Sequence, residues 1–159
     1  MTKLTSLGAI ALFSLSLPLV AFAANKPMQP PMPQTSAVQH KAMMVRHQAT
    51  AARKEAATAR AHAMMATNAN SLKTTHMHLH HVVNCLAGPN GKGFDSSFED
   101  PCKGMGHGAL NDAAGNDTLT GVLKKAMSEA QAGLKSNDET TARMAAKKVA
   151  ALLGKAARH

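Results

Sequence analysis

The residues best suited to chemistry are clustered in one six-residue run near the middle of the chain. Four histidines and one methionine occupy it: His76, Met77, His78, His80 and His81. On a helix, His76 and His80 are i,i+4 neighbours, as are Met77 and His81. An i,i+4 histidine pair can chelate one metal ion; neutral imidazole suits copper, zinc and nickel, whereas a thioether selects Cu(I). The run therefore predicts a transition-metal site, with copper favoured and zinc or nickel as alternatives.

Further donors precede this run on a long alanine-rich segment. His40, Met44 and His47 share a helical face at i, i+4 and i+7, and His62 and Met65 are three residues apart. We therefore predict an accessory site that includes His40 and His47. Methionine at helical spacing is also typical of core packing beside alanine, so the methionines have a purely structural alternative.

A third candidate lies in a glycine-rich loop. Met105 and His107 alternate there with glycines, which let a backbone approach a ligand closely. We predict His107 as a further metal ligand, with a simple turn for chain reversal as the alternative. Cys85 and Cys102 are the two cysteines of the chain and can form a disulfide worth about 3 kcal/mol. If they are bonded, neither can act as a nucleophile or a thiolate ligand.

The N-terminus predicts export. Residues 1–23 have the features of a secretory signal peptide: Lys3, an apolar stretch from Leu4 to Val20, and a small-residue cleavage site at Ala21-Phe22-Ala23. No second apolar run is long enough to span a membrane, so we expect no membrane span after cleavage. The expected location is the periplasm or the extracellular medium, where a disulfide can form.

Composition narrows the function classes. The chain has 159 residues, 18 Lys and Arg against 9 Asp and Glu, and only 3% aromatic residues. So few aromatics leave almost no stacking surface for bases, and we expect no nucleic-acid partner. The spacings of covalent haem, zinc-protease and P-loop motifs are absent from the sequence, so we do not expect an enzyme.

The elements that must position these residues are predicted to be helices. Four prolines make 24–35 an extended linker, and 36–159 is expected to be one all-α domain. Apolar residues at three-to-four spacing and capping residues predict a four-helix arrangement. A long disulfide-stapled, glycine-rich loop, 88–117, joins the second and third helices. The four helices are expected at 36–67, 71–87, 118–135 and 139–157.

The helical hairpin 118–157, the histidine-bearing helices before it and the signal peptide together resemble small periplasmic metal-binding helical-bundle proteins. The resemblance implies binding of divalent metals, copper among them, by histidines spaced along the helices. The chain departs from it because its last two predicted helices contain no histidine before His159. Any ligand set must therefore come from residues 40–107.

The function expected from the sequence is copper buffering, resistance or delivery by an exported protein, with a metal-transport or redox protein as a possible partner. Two alternatives stay open. One is a bundle that binds haem non-covalently or assists redox chemistry, with a His/Met or His/His axial pair. The other is a non-catalytic envelope stress or interaction protein whose histidines are incidental.

Overall fold

A computed structural model of the protein describes residues 35–158, and every regular element in that range is a helix. The predicted signal peptide, and the linker apart from Thr35, lie outside the described residues. Within the described range, no helix is long and apolar enough to cross a membrane. The helices are α1 (Thr35–Thr67), α2 (Leu72–Ala87), α3 (Ala109–Asp112), α4 (Asp117–Lys135) and α5 (Glu139–Ala156).

The sequence predicts four helices, whereas the described residues form five. The additional helix is α3, a single turn inside the segment predicted as loop. It follows Gly108, whose φ of 103° favours glycine, and it buries Ala109 and Asp112. Four residues are too few to show a helical period in a sequence, which is why the loop prediction missed this turn.

The core side of α1 is made of alanine. Side chains at three-to-four spacing are fully buried at Ala52, Ala56, Ala59, Ala63 and Ala66. Small side chains let neighbouring helices approach closely, and α1 packs against both α2 and α5. Residues 36–48 of the same helix are exposed throughout, so only the second half of α1 is built into the domain.

The remaining core comes from α2, α4 and α5. Leu79, Leu123 and Leu153 are fully buried in it. Gly133 on α4 allows close packing, because a Cβ there would lie 2.8 Å from Leu79 Cδ1 and 3.1 Å from Ala145 Cβ. A short turn joins α4 to α5, and Asp138 caps α5 by accepting a hydrogen bond from the Thr141 N–H at 2.7 Å.

The segment after α2 is held in place by a disulfide and by a buried asparagine side chain. The predicted disulfide between Cys85 and Cys102 is confirmed, with Cα atoms 5.1 Å apart. The Asn84 side chain is fully buried, and its Nδ2 lies within 3.2 Å of the carbonyl oxygens of Asp95, Phe98 and Glu99. Its Oδ1 accepts a hydrogen bond from the Asp95 N–H at 2.9 Å. These contacts place the loop beside α2 without regular structure.

Candidate metal centre

Three histidines from two helices converge between α1 and α2. We call His62 of α1 with His78 and His81 of α2 the histidine triad. The Nδ1 of His62 lies 3.4 Å from the Nδ1 of His78 and 3.2 Å from the Nδ1 of His81. One nitrogen from each ring lies within 4.8 Å of the other two. The His62 and His81 rings meet edge to face, with centroids 4.8 Å apart.

These separations fit a shared metal ion better than a hydrogen-bonded cluster. Nitrogen ligands held tetrahedrally at about 2.0–2.1 Å from a metal lie about 3.3 Å from one another. A neutral imidazole Nδ1 has either one proton or one lone pair, directed along one line in the ring plane. The His62 Nδ1 has two neighbours of its own kind, so one hydrogen bond cannot serve both contacts well. A cation between the rings would accept all three lone pairs.

The electrostatics of the triad keep its rings neutral. Burial lowers the pKa of His62, and repulsion from His81 and His78 lowers it further. Burial also lowers the pKa of His78 and of His81, with repulsion from neighbouring imidazoles adding to the effect. Glu99 opposes the shift at His62 and His81. Neutral imidazole is the form that binds metal, and the negative charge of Glu99 favours a cation nearby.

Helix packing explains how the three rings meet. His62 lies beside the alanine side of α1, between the buried Ala59 and Ala66 one turn away in each direction. On α2, His78 and His81 are i,i+3 neighbours beside Leu79, which is fully buried. Because the facing side of α1 consists of alanine, the helices approach closely enough for imidazoles at the edge of the contact to touch.

The structure separates the ligands predicted in the 76–81 run. His78 and His81 belong to the histidine triad, whereas His76 and His80 join no group of three such ligand atoms among the described residues. His76, Met77 and His80 line an open cavity of about 920 Å³, which His81 also borders. We call this the α2 cavity.

The two remaining histidines of the run have other neighbours. The His80 ring stacks on Phe98, with centroids 3.7 Å apart, and its Nδ1 lies 3.6 Å from Asp95 Oδ2. The Nε2 of His76 is buried without a hydrogen-bond partner among the described residues. Both side chains therefore face the α2 cavity and its loop wall rather than the triad.

The other predicted ligands lie elsewhere. His40 is exposed on the projecting half of α1, and His47, also exposed, lines a second cavity together with His107. Sequence reasoning noted His62 with His40 and His47 but did not pair it with α2. The i,i+3 spacing of His62 and Met65 is the only local sequence signal for His62. Residues that meet between two helices have no characteristic separation in the sequence.

The methionines are mostly at the surface. Of those in the described range, Met127 is buried and the others are exposed by at least 36%: Met43, Met44, Met64, Met65, Met77, Met105 and Met144. The alternative in which methionines at helical spacing fill the core is therefore wrong for this set. Met65 lies one turn from His62 on α1, and Met77 lies one turn from His81 on α2.

A second cluster of ligand-type residues has a structural explanation. Cys85, Asp100 and Cys102 lie close together, but the two sulfurs are joined in the disulfide. Asp100 Oδ1 accepts a hydrogen bond from the Cys102 N–H at 3.0 Å. The cluster therefore offers no thiolate and fixes the loop instead.

A buried carboxyl group connects α1 to the segment before α3. Glu55 is 1% exposed, its Oε1 accepts a hydrogen bond from the Gly108 N–H at 3.0 Å, and its Oε2 has no partner among the described residues. Burial, with smaller contributions from nearby Asp112 and Asp100, raises the pKa of Glu55 to about 7. Glu55 thus links α1 to the loop through a hydrogen bond, and its carboxyl group titrates near neutral pH.

Comparison of the chain with family models, with curated proteins and with solved structures gives no significant match. The site must therefore be interpreted from its own geometry.

Proposed function

We propose that the protein is an exported transition-metal-binding protein that holds copper between α1 and α2 through the histidine triad. The observation that carries this proposal is the convergence of three Nδ1 atoms, with separations of 3.2 and 3.4 Å from His62. These values match the spacing of nitrogen ligands around one metal ion. The lowered pKa of each ring supports binding at neutral pH, since metal and proton compete for the same lone pair.

The choice of copper rests on the thioethers. Imidazole alone suits zinc, nickel and copper, whereas thioether ligands select Cu(I). Met65 and Met77 lie one turn from triad histidines and are 48% and 36% exposed. Because these methionine side chains are exposed, they contribute little to the core. They offer soft ligands through which Cu(I) can enter or leave.

The cellular role we propose is metal buffering, resistance or delivery in the periplasm or outside the cell. The disulfide between Cys85 and Cys102 supports this location, because such bonds persist in oxidising compartments. Delivery would require a metal-transport or redox protein as partner, and the exposed methionines of α1 give it an accessible surface.

Metal titration of the purified protein tests this function. Calorimetry with Cu²⁺, Zn²⁺ and Ni²⁺, and anaerobic competition with a Cu(I) chelator, should show copper bound most tightly. His62→Ala should weaken that binding by more than the about 10–100-fold that follows loss of a group supporting a metal ligand. The matched control is His40→Ala, which removes an exposed histidine from the same helix and should bind copper like the wild type.

Two results would count against the proposal. One is wild-type affinity weaker than about 10 μM for every metal; the other is equal copper affinity in His62→Ala and His40→Ala. A second variant pair covers α2: His78→Ala should weaken binding, whereas His76→Ala should not. Circular dichroism of each variant checks that the helices are intact.

The α2 cavity favours a second candidate function, non-covalent haem binding. Its volume of about 920 Å³ and its lining, with Leu72, Phe98 and three histidines, suit a large flat apolar ligand. His76 and His80 are i,i+4 neighbours that could supply an axial ligand. Added haemin should then give a Soret band that His76→Ala/His80→Ala abolishes. A wild-type spectrum equal to that of free haemin would eliminate this candidate.

A further inference from the structure

A second group of soft donors surrounds a separate cavity, where α1 passes the segment before α3. The cavity has a volume of about 330 Å³, and its walls include His47, Met105, His107 and Asp112. Two histidines and one methionine therefore border a common space. We call it the His107 cavity.

His107 is held as metal-binding histidines usually are. The backbone N–H of His107 donates to Asp112 Oδ2 at 2.9 Å, and the ring Nδ1 lies 3.2 Å from Asp112 Oδ1. Asp112 is only 3% exposed, whereas the His107 side chain is 78% exposed. A carboxylate that accepts the Nδ1 proton leaves the lone pair on Nε2 and fixes the ring direction. With its proton on Nδ1, the exposed ring would have a free Nε2 lone pair that could bind a metal ion.

The thioether is placed by glycines and by α1. Met105 lies between Gly104 and Gly106, and any Cβ on Gly106 would collide with Asp112 Oδ2. Gly104 has a φ of 82°, and a Cβ there would meet nothing within 4 Å. The Met105 Sδ accepts a hydrogen bond from the Thr58 hydroxyl at 3.5 Å. The sulfur therefore lies against Thr58 of α1, at the end of a side chain that is 39% exposed.

We propose that the His107 cavity is a second copper site, which takes Cu(I) through His107 Nε2 and Met105 Sδ with His47 of α1 as the third donor. Imidazole and thioether together match Cu(I). Unlike those of the histidine triad, these donors are not drawn together in the structure, because the Met105 Sδ lies against Thr58, which is outside the lining of this cavity. Binding therefore requires the Met105 side chain to leave Thr58 and turn toward His107. This inference is independent of the triad, because the two sites share no residue.

Anaerobic Cu(I) titration in competition with a chromophoric chelator tests the second site. Relative to the wild type, His107→Ala and Met105→Leu should each bind one equivalent less. Met144→Leu, which changes an exposed methionine of α5, should bind the same number. Asp112→Asn should keep the equivalent but with about 10–100-fold lower affinity, since the carboxylate only orients the ring. X-ray absorption of one-equivalent Cu(I)-loaded His62→Ala protein should show a sulfur scatterer that His62→Ala/Met105→Leu lacks.

The outcomes separate this inference from the proposed function. If His107→Ala and Met105→Leu bind as many equivalents as the wild type, the second site is overturned, whatever the triad does. If His62→Ala loses nothing while His107→Ala loses one equivalent, the triad function fails and the second site stands. Sulfur scattering that survives Met105→Leu would also overturn the second site, because the thioether would then come from another methionine.

Discussion

The histidine triad and the His107 cavity differ in what holds their side chains. The triad depends on the packing of two long helices, and its nitrogens are already 3.2 and 3.4 Å apart. The His107 cavity depends on a buried carboxylate, on glycines and on a loop tied to the domain by the disulfide. Its donors border one space but remain apart, and the Met105 sulfur lies against Thr58.

The two regions also differ in burial. Burial lowers the pKa of each triad histidine. The His107 side chain is 78% exposed, and its Nδ1 lies 3.2 Å from Asp112 Oδ1. A site that is formed and neutral in advance loses little entropy on binding, whereas an open site must order its loop. We therefore expect copper to bind more tightly to the triad and to dissociate faster from the His107 cavity.

Removing the disulfide should have the largest effect on stability and should separate the two regions. Cys85→Ala/Cys102→Ala opens a loop with a sequence separation of 17, which should lower the free energy of unfolding by about 3 kcal/mol. Urea denaturation measures this change. Copper binding at the His107 cavity should weaken in the folded variant, while triad binding should persist.

The control for the stability change is the metal-free wild-type protein under reducing conditions, whose free energy of unfolding should match that of the double variant. Equal loss of copper at both sites in the folded variant would contradict the comparison, because it would show that the loop also supports the triad.

Replacing Glu55 by Gln should have the next largest effect and concerns the loop side alone. The pKa of Glu55 is raised to about 7 in the folded state from 4.5, so between these values the folded protein holds a proton that the unfolded chain has lost. Glu55 therefore makes stability fall as pH rises from about 4.5 to about 7. When the pH is raised from 5 to 8, the free energy of unfolding of Glu55→Gln should increase by about 1–3 kcal/mol relative to that of the wild type.

Urea denaturation of both proteins at pH 5 and pH 8 measures this difference. Effects of pH on other groups, including the triad histidines, are the same in both proteins and cancel in the comparison. Gln keeps an acceptor for the Gly108 N–H, so the attachment is retained. A wild-type and variant difference that does not change with pH would show that Glu55 is ionised in both states.

The pH dependence of the triad should give the smallest effect. Lowered histidine pKa values mean that the rings are mostly neutral at pH 6.5, so copper affinity of the triad should fall by less than about tenfold between pH 7.5 and 6.5. It should fall more steeply below that range. The stabilising effect of neutral burial is present above 6.5 and is lost as pH falls through the lowered pKa values.

Histidine ring signals followed by NMR during a pH titration of the metal-free protein test this directly. His62, His78 and His81 should titrate below 6.5. A pKa above 6.5 for any of the three would contradict the prediction that burial lowers the pKa values of the triad histidines.

Much of this fold can be predicted from local patterns. The four long helices correspond to the four segments predicted from period and capping, and Ser71 caps α2 by accepting the Thr74 N–H. The pair of cysteines, together with the predicted export, was enough to predict the disulfide. The turn α3 was missed, and so was the exposed position of the methionines, since neither leaves a periodic pattern.

The helical class, the disulfide and the presence of metal-type donors can be read from the sequence, because propensity, capping and residue chemistry act over a few positions. Which donors meet depends on how the helices pack. His62 and His81 are 19 positions apart and adjoin because an alanine surface brings α1 onto α2, while His76 and His80, four apart, face the α2 cavity and its loop wall. Local spacing fixes the face of one helix, and the packing of two helices fixes which faces come into contact.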